Sequence, residues 1–76
     1  MISEIVKASA GLAGADRKVL AAALGISSQA MSNKYTRDSF SAVDLVKIAS
    51  ACGYRLAFTD EAGKAVIMFP DVTKTE

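Results

Sequence analysis

The sequence predicts a mainly helical α+β fold of about four helices followed by a C-terminal β-hairpin. Three observations predict it. Apolar residues recur at helical spacing between Ile2 and Cys52, and capping residues with glycines divide that stretch at Asp16, Gly25, Ser27, Ser41 and Gly53. After Gly53 the hydrophobic period changes from 3.6 to 2. Residues 1–53 form the helical part and residues 54–70 the hairpin of the same single domain, with a loose polar tail at 71–76.

Ile2, Ile5, Val6 and Ser9 share one helical face and open the chain as a short helix. The run Ala8 to Ala15, with Gly11 and Gly14, reads as a loop or weak helical end anchored by Leu12. Asp16 is placed to cap a second helix, in which Leu20, Ala21 and Leu24 face inward and which Gly25 closes. Ser27 caps a third, from Ser28 to about Tyr35, with Ala30, Met31 and Tyr35 turned to the core. Ser41 and Asp44 form a capping box at the head of a fourth helix carrying Leu45, Val46, Ile48, Ala49 and Cys52. Alternation in Tyr54–Thr59 and Ala65–Phe69 predicts two strands, with Gly63 at the left-handed position of a short bulged turn. That turn pairs Asp60 with Lys64, Phe58 with Val66 and Leu56 with Met68. Pro70 stops the second strand.

With 76 residues, of which 51% are hydrophobic, there is material for one core only. A chain this short buries only about 60% of its unfolded surface, so association with a partner is expected. The single cysteine, Cys52, forms no intrachain disulfide and suits a reducing compartment. No stretch approaches the roughly 20 apolar residues of a membrane span, and Met1 to Glu4 lacks the basic start of a secretory signal. The expected setting is the cytoplasm, at the nucleoid, without a membrane partner.

The net charge is only +1, but it is unevenly spread. Lys7, Arg17, Lys18, Lys34 and Arg37 outweigh Glu4, Asp16 and Asp38 in the N-terminal half, whereas acidic residues prevail beyond residue 40. There is no histidine, no second cysteine and no glycine loop with a phosphate-binding lysine. The chain is therefore expected to be no enzyme, with no metal, no cofactor and no small-molecule substrate.

The segment Arg17 to Asn33 has a small Ala21 where two helices would touch, Gly25 at a turn, Ile26 plugging the core, Ser27 capping and Met31 buried. This pattern of about residues 16–36 resembles the helix-turn-helix of the lambda-repressor and Cro family, and the likeness continues through the fourth helix to Gly53. The sequence departs from the family at Lys34, where an apolar residue is usual. It departs again in a longer connection from Ser9 to Ala15, and in a terminal hairpin that is similar to the Cro branch.

The resemblance implies a DNA-binding transcriptional regulator, of phage, mobile-element or bacterial repressor type, on double-stranded DNA. The helix from Ser28 would enter the major groove with Ser28, Gln29 and Ser32 at base edges. Gln29 is the most informative, since its amide matches adenine N6 and N7 together. Arg17, Lys18, Asn33, Lys34 and Arg37 would lie at phosphates and supply affinity more than sequence information. The hairpin register leaves Arg55, Ala57, Ile67 and Phe69 on an outer face, which predicts a homodimer on a two-fold operator. The rival reading is a protein-interaction module on the same scaffold, favoured by the low net charge and by the absence of arginine between Ser28 and Tyr35.

Overall fold

The structure, a computed structural model, is described for residues 1–70; the tail expected at 71–76 lies outside the described residues. Four helices precede a two-stranded antiparallel sheet: α1 Ile2–Ala13, α2 Arg17–Leu24, α3 Ser28–Arg37, α4 Ala42–Ala51, β1 Ala57–Thr59 and β2 Ala65–Met68. The helical order and the hairpin are those the sequence predicts.

Three of the four helices are capped by the side chain of their own N-cap residue. Asp16 Oδ1 accepts from the Val19 amide at 3.0 Å, and Ser27 Oγ accepts from Ala30 at 3.1 Å. Ser41 and Asp44 close a reciprocal capping box, 3.0 Å in one direction and 3.1 Å in the other. Each bond satisfies an amide that the first helical turn would otherwise leave open. Gly25 ends α2 at φ 70°, a conformation that costs a side-chain-bearing residue roughly 1–2 kcal/mol. Its turn carries Ile26 back onto the core.

The core is built from Val6 and Ala10 of α1, Leu20 and Ala21 of α2, Met31 of α3, and Ile48 and Cys52 at α4. Leu20 and Met31 are wholly enclosed. Ala21 gives α2 the small surface against which α3 and α4 pack. Leu24, Ile26, Tyr35, Phe40 and Leu45 ring this centre, half-buried.

Two expectations are corrected. Of the two readings of the run from Ala8, loop or helical end, the structure takes the second, with helix as far as Ala13, because alanine is the strongest helix former and outweighs a single interior glycine. Gly14, at φ 72°, stops it. The buried stripe of α1 is accordingly Ser3, Val6 and Ala10, while Ile5 and Leu12 are 61% and 83% exposed, so Leu12 anchors nothing.

The second correction concerns the hairpin register. The turn forms as predicted, with the Asp60 amide donating to the Lys64 carbonyl at 3.0 Å and Gly63 at φ 86°. Past Thr59↔Ala65 an irregularity leaves Val66 without a partner, and the pairs become Phe58↔Ile67 and Ala57↔Met68. One extra residue exchanges the two faces of a strand. Phe58 therefore shares a face with Ile67 and Phe69, its ring 5.3 Å from that of Phe69, and Ala57 lies on the opposite one. All of β2 is exposed, as is Phe58 of β1, so Phe58, Val66 and Met68 do not cover the helices. Leu56, at the foot of β1, lines a groove together with Tyr54 and Arg55 and with Ile5, Leu45 and Ile48 of the helices.

Candidate nucleic-acid interface

The turn between α2 and α3 is short because Gly25 and Ser27 end one helix and begin the next with a single residue between them. With Met31 buried beneath it, α3 turns an outer face to solvent. On that face Gln29 and Asn33 stand one turn apart, both exposed, and Gln29 Nε2 donates to Asn33 Oδ1 at 3.3 Å. That bond uses neither the Gln29 carbonyl oxygen nor the Asn33 amino group, one acceptor and one donor group on an exposed face.

Ser28 and Ser32 are half-buried. Ser32 Oγ accepts from Arg17 Nη1 at 2.8 Å, which ties the head of α2 to the middle of α3. The structure thus brings together a residue expected at phosphates and one expected at bases. Lys18 and Arg37 are exposed and enter no ion pair among the described residues.

Lys34 is placed differently from the free cation expected of it. Its ammonium lies 2.9 Å from Asp44 Oδ2, with both side chains largely covered. The aliphatic stem thereby fills a place the family gives to an apolar residue, and the charge is neutralised at the end. Burial disfavours the charge on Asp44, but the Lys34 ammonium and the Ser41 amide more than offset this, so its carboxyl stays below the usual range. The same oxygen closes the cap of α4, so one carboxylate joins α3 to α4.

Sequence reasoning missed two residues. Asp38 ends α3 in the left-handed region at φ 54° and turns its carboxylate to the start of α1. Oδ1 accepts from the Ser3 amide at 2.6 Å and lies 2.9 Å from Ser3 Oγ, and Oδ2 lies 3.2 Å from the Met1 amino group. The Ser3 amide and then its hydroxyl hold the Asp38 carboxyl down to about 2. An aspartate at a helix end, where Asp tolerates the left-handed region, is the one signal the sequence offers for it.

The other is Lys7, whose Nζ sits 5.1 Å from the centre of the Tyr35 ring. Tyr35 is held edge-on against Phe40, and burial pushes its hydroxyl pKa up, with Arg17 opposing. Nothing in the spacing of Lys7 marks it, because the ring that receives it comes from another helix.

Of the residues expected at a dimer face, Ile67 and Phe69 do lie together, whereas Ala57 faces the other way. Arg55 Nη2 donates to the Phe69 carbonyl at 2.7 Å and so braces the hairpin. Cys52 is buried, and burial raises its thiol pKa, as suits a small packing residue. Among the described residues, no helix is long and apolar enough to cross a membrane.

Two helices locked by a glycine turn, the second with its outer face free, define a helix-turn-helix protein of the lambda-repressor kind. Over residues 2–58 the sequence matches the bacteriophage CI repressor helix-turn-helix domain, and the chain belongs to that family. The domain marks it as a DNA-binding regulator. No curated protein and no solved structure matched the chain.

Proposed function

We propose that the chain is a sequence-specific transcriptional regulator of phage or bacterial repressor type, acting without catalysis and reading a two-fold operator through α3. The observation that carries this reading is the outer face of α3: the Gln29 and Asn33 amides are exposed and hydrogen-bonded to each other, flanked by Arg17, Lys18 and Arg37, which have no carboxylate partner among the described residues. Joined side-chain amides offer the donor and acceptor pattern that distinguishes base pairs in the major groove. Ser28 and Ser32 contribute hydroxyls beside them, and the arginines and Lys18 meet phosphates.

The test is selection of bound duplexes from a random pool, followed by titration of site variants. Gln29→Ala should cost on the order of 1–3 kcal/mol on the preferred site and relax the preference at one position. An unchanged preference at every position would remove Gln29 from the reading face. Binding that is indifferent to salt, or confined to a protein partner, would favour the interaction-module reading instead.

A further inference from the structure

The helices α1, α2 and α3 enclose an open cleft of about 710 Å³ beside the reading face. Lys7 of α1 lines it with Arg17 and Lys18 of α2, and the hydroxyl-bearing Ser32, Tyr35 and Thr36 of α3 form its floor. Three cations from two helices line it, and among the described residues none of the three forms an ion pair. This contrasts with Lys34, whose charge is answered by Asp44. The carboxylate bordering the cleft, Asp16, is turned to the amide of Val19. Like charges gathered in a concavity repel one another, so an anion that enters relieves the repulsion as well as gaining three attractions.

Two contacts hold two of the three cations, Lys7 and Arg17, in place before any ligand arrives. The Tyr35 ring carries the Lys7 ammonium at 5.1 Å, and Ser32 takes the Arg17 guanidinium at 2.8 Å. Ser32 accepts in that bond, so its own proton remains free to donate. The cleft thus offers ammonium, guanidinium and hydroxyl donors to a single tetrahedral anion.

From this we infer that the cleft is a phosphodiester site in which Lys7 binds a backbone phosphate of DNA together with Arg17 and Lys18, with Tyr35 as its positioning residue. The inference rests on the DNA reading above and adds α1 to the interface. Lys7 contributes to all sequences alike, since a phosphate carries no base identity.

The experiment is fluorescence anisotropy of the full chain with a labelled duplex recovered by selection and with a scrambled duplex, between about 50 and 200 mM salt. Lys7→Gln should weaken binding to both duplexes several-fold and reduce the salt slope by about 0.9, the contribution of one phosphate. Lys7→Arg should restore both, and Lys64→Gln, at the exposed hairpin turn, should leave both unchanged. A melt by circular dichroism checks that the exposed Lys7 can be replaced without unfolding. If the unmodified chain binds with a steep salt slope and Lys7→Gln preserves that slope, the cleft is not a phosphate site while the DNA reading stands. If the unmodified chain shows no salt-dependent binding to either duplex, both fall. Equal loss of affinity in Lys7→Gln and Lys7→Arg with the slope intact would also overturn the proposal, since it would make Lys7 a packing residue.

Discussion

Single side chains in this protein tend to serve two elements at once, and Asp38 shows how. Its carboxylate satisfies an amide at the head of α1 from the tail of α3, which a neutral side chain does less well because the bonds to an ionised acceptor are the stronger ones. The folded-state value of about 2 lies below the ordinary 3.8, so Asp38 adds stability above about pH 4. That contribution disappears as pH falls toward 2. Asp38→Asn should accordingly lower the melting temperature at neutral pH, and the difference from the unmodified chain should close between pH 4 and pH 2. Thermal melts across that range check it, and a constant difference would mean that the charge of Asp38 is irrelevant to its role. Arg17 is the companion case, a cation the sequence assigns to phosphates which the fold also fastens to Ser32.

At the scale of elements, the capping residues made the helices legible. Asp16, Gly25, Ser27 and the Ser41/Asp44 box lie where the sequence puts them, because each acts on its own helix end within a few residues. Ser27→Ala should cost about 1 kcal/mol by opening the first turn of α3, whereas Leu20→Ala should cost about 2–5 kcal/mol by leaving a cavity beneath it. Denaturant titration separates the two, and a Ser27→Ala loss equal to that of Leu20→Ala would mean the cap organises far more than its own helix. What the sequence could not show was decided between elements. The Lys34 ion pair, the Lys7 contact with Tyr35 and the Ser3–Asp38 bonds join residues on different helices, and no local period records them. The hairpin failed in a different way. Its turn was readable from Asp60 and Gly63, but the unpaired Val66 reversed the faces beyond it, and bulges have no reliable mark in alternating apolar strands.

For the whole molecule the hairpin raises the question of association. Phe58 and Ile67, paired on one face of the hairpin, are each more than 60% exposed, and among the described residues neither edge of the two-stranded sheet has a neighbouring strand. We propose that a second copy covers this apolar face, related by a two-fold axis that would set two α3 helices about 34–36 Å apart. Replacing Phe58 and Ile67 by glutamate should convert a dimer into a 7.9 kDa monomer and weaken operator binding at least about tenfold, as loss of the second half-site requires. Light scattering and anisotropy read the two effects. A native chain that is monomeric throughout the micromolar range would dismiss the hairpin interface.

The bonds between Ser3 and Asp38 also have a consequence in terms of chain closure. They join points 35 residues apart and so turn α1, α2 and α3 into a ring, with the helix-turn-helix suspended between its two fastened ends. Closing a loop of that length is opposed by chain entropy, a cost met once, during folding, rather than each time a partner is met. With α3 clasped at its far end by Asp38 and bridged near its middle by Arg17, its freedom to swing relative to α2 is already spent. Whatever docks on its outer face meets a rigid body, and the ordering penalty that weakens many small recognition modules is correspondingly small.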